Sequence, residues 1–209
     1  AAPAERAVTM WIMERPLVLA SQSRSRQTLL AAAGLTFEAM PAQLDERALQ
    51  ANSGLTDPSA IAALLARAKA MEVSEKNPDR VVIGADQTLA LGEKLFSKPA
   101  GRAQAAEQLR QLAGTTHQLC SAVAVVRDKE VLFETVSVAR MTMRPLTADS
   151  IARYLDAAGP AVTTSVGAYQ LEGIGVHLFE RIDGDHFTIL GLPLLPLLAF
   201  LRRAKLVAE

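Results

Sequence analysis

The sequence predicts an α/β protein built on a mixed sheet with helices packed against it. Two patterns carry the prediction. Short apolar runs are interleaved with segments of helical periodicity, as at 17–20 and 26–33. At least two segments, 81–99 and 116–144, turn back on themselves as hairpins, so antiparallel pairs must share the sheet with any parallel ones. Hydrophobic residues make up 50% of the 209, enough for a substantial core. No internal repeat, low-complexity tract or linker interrupts the chain, so residues 16–209 are expected to form one folded unit.

Composition removes several classes of function. The 22 basic and 22 acidic side chains cancel, so neither nucleic acid nor an anionic membrane is an expected partner. A single cysteine, Cys120, excludes an internal disulfide and a Cys-rich zinc site, and it fits a reducing, cytoplasmic setting. The longest apolar run, Leu192 to Leu201, is too short to span a bilayer and carries Pro193 and Pro196. Residues 1–15 lack the apolar stretch of a signal peptide. They read as a poorly ordered N-terminal extension, with Met10 or Met13 a candidate native start.

Taken in order, Leu17 to Ala20 is a buried strand and Arg26 to Ala33 a helix closed by Gly34. Between them Ser21, Ser23 and Ser25 alternate with Gln22, Arg24 and Arg26. A strand entering a helix through hydroxyls and guanidiniums offers free backbone N–H groups, helix-dipole charge and arginine forks, all of which favour a phosphate. A serine N-cap beside solvated arginines gives the same pattern. The glycines and Gly-Lys-Ser/Thr ending of a Walker loop are missing. Phe37 to Pro41 is a second strand, and Asp45-Glu46 after it reads as a loop. Asp57-Pro58 opens a helix with Ile61, Leu64, Leu65 and Ala68 on one face. Lys69 lies at the edge of that face, where a lysine can also snorkel to solvent.

The stretch 81–99 is the most informative. Val81, Val82 and Ile83 have the composition of a strand buried on both faces; Gly84 and Ala85 then remove bulk, and Asp86 follows while the strand is still in or near the core. A carboxylate there is costly unless it is paired or binds a metal. With a turn at Gly92-Glu93, the return strand would set Lys98 beside Asp86. This is either a structural ion pair at a sheet edge or a phosphate-and-metal site.

Beyond Pro99, residues 102–113 form a short helix with Leu109 and Leu112 inward, and 116–144 a hairpin turning at Arg127 to Glu130. His117 and Cys120 have no metal-ligand spacing and read as packing residues. A helix over 147–158 is capped by Thr147. Gly167, Gly173 and Gly175 surround Glu172, which permits close backbone approach to a ligand or simply bends the chain. Strands are expected over 176–180 and 187–190, and a final helix over 193–205.

The motifs together resemble a known family. Ala20-Ser21-Gln22-Ser23 with Arg26 and Leu29-Leu30, then Val82 to Asp86 with Lys98-Pro99, then Gly167-Ala168-Tyr169, Glu172-Gly173 and Gly191 to Leu194 look like the signatures of the Maf family of nucleoside triphosphate pyrophosphatases. The resemblance runs from about Pro16 to Arg203, in order and with family spacing. It implies a long twisted sheet in two lobes with a central cleft, as in inosine triphosphate pyrophosphatases. It also implies water attacking the α-phosphate of a nucleoside triphosphate to give a monophosphate and pyrophosphate. In that reading Asp86 is the general base, and Glu46 with Asp86 holds a divalent cation (Mg, Mn or Co). Lys69, Lys98 and Arg26 stabilise phosphate charge, Ser21 and Ser23 orient the phosphates, and Ser25, Gln87 and Glu172 lie at the base. A homodimer is implied as well. Asp86-Gln87, Glu172-Gly173 and Leu178 to Arg181 resemble the subgroup acting on 7-methyl-GTP more than the one acting on dTTP and UTP. A nucleotide-binding regulator of cell division without turnover is the competing reading. Ser25, in Arg24-Ser25-Arg26, stands where many members have Arg or Trp, so the base contact at that position differs here.

Overall fold

In a computed structural model, residues 9–208 are described. The first lobe begins with β1 (Leu17–Leu19), α1 (Arg24–Ala32), β2 (Phe37–Ala39), α2 (Glu46–Ser53) and α3 (Pro58–Lys76). The long strand β3 (Val82–Leu91) follows, then β4 (Lys94–Phe96), α4 (Arg102–Leu112), β5 (Thr116–Arg127), β6 (Glu130–Met143) and α5 (Ala148–Ala158). The chain next passes through short 3₁₀ turns at Gly159–Thr163, Val166–Ala168 and Ile174–Leu178. It ends with β7 (Phe179–Asp183), α6 (His186–Ile189) and α7 (Leu194–Arg203).

The seven strands form one sheet in the order β2-β1-β3-β5-β6-β7, with β4 added to β3. β1 runs parallel to β2 and β3, whereas the other pairs are antiparallel, so the sheet is mixed as expected. One face is covered by α3, whose Ala62, Ala66, Ala70 and Val73 pack on Val18, Val82, Ala122 and Ala124. The opposite face carries two separate cores. One gathers Leu17, Leu19, Leu30 and Ile83 under α1 and α7. The other gathers Leu89, Leu109, Met141 and Leu155 under α4 and α5. These are the two lobes, and β3 runs through both.

The sheet is incomplete along one edge of β3. β1 pairs with it only at Val82 and Ile83, and β4 only from Leu89 to Leu91. Gly84 to Thr88 therefore face a gap on that side, while β5 pairs with β3 continuously from Val82 to Ala90 on the other.

Several elements differ from the sequence reading for local reasons. The helix α1 starts at Arg24, because Ser23 is its N-cap and accepts from the Arg26 N–H. Asp45 caps α2, which replaces the expected loop, by accepting from Ala48 N–H at 2.9 Å. The expected strand at 187–190 is instead α6, since Asp185 accepts from the Thr188 N–H and starts a helix. The strand expected from Val176 begins at Phe179, after the 3₁₀ turn. Of the expected extension 1–15, residues 1–8 lie outside the described residues. Trp11, by contrast, is 4% exposed and sits in the first core, bridged to Val207, with its indole N–H donating to Arg15 O at 2.7 Å.

Gly84 sets the distance between α3 and the sheet. A Cβ there would lie 2.1 Å from Ala66 O and 2.9 Å from Ala70 Cβ. The helix backbone occupies that space, so no side chain fits. Gly84→Ala is expected to destabilise the protein by about 1–3 kcal/mol or more, as overpacking at a rigid contact does. Urea unfolding measures this, and an unchanged midpoint would mean that α3 can stand off from β3.

Candidate active site

The gap beside β3 opens into a cleft of about 740 Å³ between the two lobes. Its floor is the bare edge of Asp86, Gln87 and Thr88, and its walls come from α1, α2, α3, the segment after β4, and the turns at 164–172 and 189–191. Successive strand residues point to opposite faces. Because no neighbouring strand closes the gap, both Asp86, toward α3, and Gln87, toward α6, line this one cleft.

On the α3 face the centre is an ion-paired chain. Lys69 donates to Asp86 Oδ1 at 2.7 Å and lies 3.0 Å from Glu46 Oε1. Asp86 is buried and Glu46 is exposed at the start of α2. Burial pushes the Asp86 carboxyl above its ordinary value, against Lys69 and Arg26, which pull it down. Thr88, on the same face, donates to Pro58 O at 2.9 Å and ties the start of α3 to the strand.

Arg26 fills the place that a further strand would take. Its guanidinium donates to Ala85 O at 3.0 Å, Ser21 Oγ at 3.2 Å and Gly191 O at 2.8 Å. Gly191, at φ +94°, turns its carbonyl to that guanidinium; a Cβ there would stand 3.4 Å from it. Burial lowers the Arg26 pKa, while Asp86 and Glu46 hold it up. Ser21 is not among the residues lining the cleft; its Oγ accepts from Arg26 and from the Ser23 N–H behind it. Ser23 lines the cleft as the α1 cap.

On the α6 face, the Gln87 amide nitrogen donates to Ser121 Oγ at 2.9 Å, Ile189 O at 3.0 Å and Thr188 O at 3.1 Å. Carbonyls only accept, and Ser121 spends its own proton on Thr188 O, so the nitrogen must face them. The Gln87 carbonyl is thereby left for the cleft. At the rim, Ser25 donates to Glu172 Oε1 at 2.8 Å, joining α1 to the turn at 170–173. Glu172 thus partners a hydroxyl, and among the described residues no cation pairs with it.

The structure brings together Ser23, Ser25, Arg26, Glu46, Lys69, Asp86, Gln87, Lys98 and Glu172 around one cleft. It corrects the expected pairing of Lys98 with Asp86. β4 ends at Phe96, opposite Leu89, so Lys98 lies beyond the ladder and would have fallen across from Gln87. Lys98 is exposed on the segment after β4, and Lys69 holds the acid instead. That segment is anchored by Gln108, which donates to Ser97 O at 2.8 Å, and by Gln104, which accepts from the Ala100 N–H. Arg24 is exposed and does not line the cleft. The sequence reading missed Arg47 and Gln50, because α2 itself was read as a loop; the Asp45 cap three residues before Ala48 was the available signal.

Cavity, gap and acid–ammonium pair define an α/β protein whose two lobes meet over one polar cleft. The chain belongs to the Maf-like protein family, which it matches over residues 16–204. It is 65% identical over 199 residues to a nucleoside triphosphate pyrophosphatase of Bradyrhizobium diazoefficiens, covering 95% of this chain and 98% of that one. It is 63% identical to a protein of the same name from Rhodopseudomonas palustris, covering 96% of this chain and all (100%) of that one. A 7-methyl-GTP pyrophosphatase of Rhizobium etli is 55% identical, with 91% of this chain and 96% of that one covered. No described helix is long and apolar enough to cross a membrane.

The raised Asp86 pKa has a consequence for stability. The folded state binds this proton more tightly than the unfolded chain does, so ionisation of Asp86 weighs against folding as pH rises above the usual carboxylate range. Asp86→Asn is therefore expected to melt at or above the wild-type temperature at pH 7. The difference should close as pH falls below that range and the wild-type acid becomes neutral. A lower Tm for Asp86→Asn at pH 7 would mean that the Lys69 pair outweighs the burial.

Proposed function

We propose that this chain is a nucleoside triphosphate pyrophosphatase, converting triphosphate and water to monophosphate and pyrophosphate, with a preference for 7-methyl-GTP. The observation that carries the reaction is the buried Asp86 held by Lys69 at the floor of the cleft. In this reading Asp86 takes the proton of the attacking water, and its raised pKa makes it a stronger base than an ordinary aspartate. Lys69 and Arg26 oppose the negative charge that grows on the α-phosphate oxygens, and Lys98 meets the phosphates from the segment after β4. The Ser23 cap and the first turn of α1 add backbone donors.

A divalent cation fits the donor set. Magnesium and its relatives are usually held by one or two carboxylates together with substrate phosphate oxygens, and Asp86 and Glu46 converge on the Lys69 ammonium, within reach of a common positive charge. Glu46 and Asp86 would hold the cation, which when bound supplies charge neutralisation at the phosphates. Among the described residues no cluster of three or more acidic, His or Cys side chains forms a cage independent of substrate.

The base preference rests on acceptors. The Gln87 carbonyl and the Glu172 oxygen not engaged by Ser25 both offer lone pairs. Guanine presents two adjacent donors, N1–H and the 2-amino group, and a carboxylate accepts such a pair well. Methylation at N7 adds positive charge to the ring and strengthens that pairing. Uracil and thymine present one donor between two carbonyls, which an acceptor-lined pocket repels. The relative named for 7-methyl-GTP supports the same choice.

Pyrophosphate release should be measured from 7-methyl-GTP, GTP, dTTP, UTP, CTP and inosine triphosphate with Mg, Mn or Co. Turnover with kcat/KM highest for 7-methyl-GTP is expected, falling roughly 10²–10⁴-fold in Asp86→Asn while nucleotide binding persists. Binding without release across the panel would favour the non-catalytic regulator, and highest turnover of dTTP or UTP would place this chain with the pyrimidine-acting group. In Glu172→Gln the advantage of 7-methyl-GTP over GTP should shrink about 10-fold or more, the worth of one charge-assisted hydrogen bond. An unchanged ranking would remove Glu172 as the base reader.

A further inference from the structure

Four cations line the cleft, and they are differently committed. Arg26 is spent on oxygens of Ser21, Ala85 and Gly191. Lys69 is held between Asp86 and Glu46. Among the described residues Lys98 and Arg47 enter no ion pair, and both are exposed at the cleft. An equal number of carboxylates lines the same cavity, so its lining is neutral overall. A neutral lining does not attract a triphosphate; cations that are free to turn to it must.

Arg47 is the unexpected member of this pair. It stands in the first turn of α2, where the positive end of the helix dipole opposes a cation. Local stability therefore does not account for it. Its neighbour Glu46 turns to Lys69, and Gln50, one turn further, lines the cleft as well, so this face of α2 looks onto the cavity. The position in the cleft is also specific. Through the gap beside β3, Gln87 and Glu172 lie toward the α6 side, whereas Asp86, Lys69 and Glu46 lie toward α3 and α2. A triphosphate with its base at Gln87 and its α-phosphate at Asp86 that continues in the same direction carries its remaining phosphates past Glu46, toward α2.

We propose that Arg47 binds the β- and γ-phosphates of the substrate and then the departing pyrophosphate. The assignment rests on the pyrophosphatase reading above for the direction in which the substrate lies. It adds a residue outside the motifs on which the family resemblance is drawn.

The test uses inorganic pyrophosphate and a nucleoside monophosphate as separate ligands of the full chain, by calorimetry and as product inhibitors. Arg47→Ala is expected to weaken pyrophosphate binding about 10-fold to 100-fold, the range for losing a hydrogen bond to a charged group. Monophosphate binding should stay as in the wild type, and KM should rise more than kcat falls. Arg47→Lys should recover part of the loss, because the charge remains while the planar fork does not. Circular dichroism checks that α2 is retained, as expected for an exposed position. Wild-type pyrophosphate affinity in Arg47→Ala, or equal weakening of both ligands, would overturn the proposal. If the wild type hydrolyses no triphosphate, the pyrophosphatase reading fails by itself. The calorimetric comparison still decides Arg47: loss of pyrophosphate binding in Arg47→Ala alone supports it, and no pyrophosphate binding by the wild type overturns it.

Discussion

The close seat of α3 on β3 at Gly84 is the constraint on which the cleft depends. Ala66 and Ala70 rest against a position with no side chain, so the helix comes nearer to the strand than a Cβ would allow. Lys69 lies between these two alanines in sequence, and Asp86 lies two residues after Gly84, on the same face of the strand. Bringing the backbones together therefore brings the ammonium to the carboxylate at 2.7 Å in a buried setting. An isolated carboxylate there would take up a proton. Lys69 draws Asp86 toward its charged form, against a cost in desolvation that the raised Asp86 pKa still records.

The second constraint is the missing stretch of strand. A sheet continuous across Gly84 to Thr88 would hide the β3 edge and put Asp86 and Gln87 in separate environments. With β1 ending at Leu19 and β4 ending at Phe96, opposite Leu89, the two faces communicate through one opening. Arg26 satisfies the Ala85 carbonyl that a neighbouring strand would otherwise have bonded, so the gap leaves that polar group paired. The same guanidinium fastens α1 to Gly191 before α7. The three oxygens it binds make Arg26 first a structural member of the gap, whose charge then acts on Asp86 at short range.

How much of this the sequence disclosed follows from which forces are local. Asp57 before α3 and Thr147 before α5 are caps that act within one turn, and the β-branched run at 81–83 needs only its own periodicity. The mixed sheet and the family motifs were legible for the same reason. The partner of Asp86 was not. Lys98 was placed by extending a hairpin register that stops at Phe96, whereas Lys69 reaches the acid through the packing of α3, a tertiary contact with no local signature. The strand expected at 187–190 failed differently. Its apolar composition suits either element, and the cap at Asp185 decided for a helix. The Ser25–Glu172 hydrogen bond spans 147 positions and was invisible to any pattern.

The pairing of charges also shapes what a ligand must do on entering. Asp86 and Glu46 already satisfy Lys69, and a cation bridging the same carboxylates would compete with that ammonium. In the pyrophosphatase reading, a polyphosphate arriving with a divalent cation would resolve the competition, since its oxygens would offer Lys69 new partners while Glu46 and Asp86 held the metal. Either component alone leaves a charge without a partner in a partly buried cleft, which is unfavourable. Such a cleft would then admit phosphate and metal together better than either singly. The exposed cations on the two walls, Lys98 and Arg47, then supply attraction that does not depend on breaking the central pair.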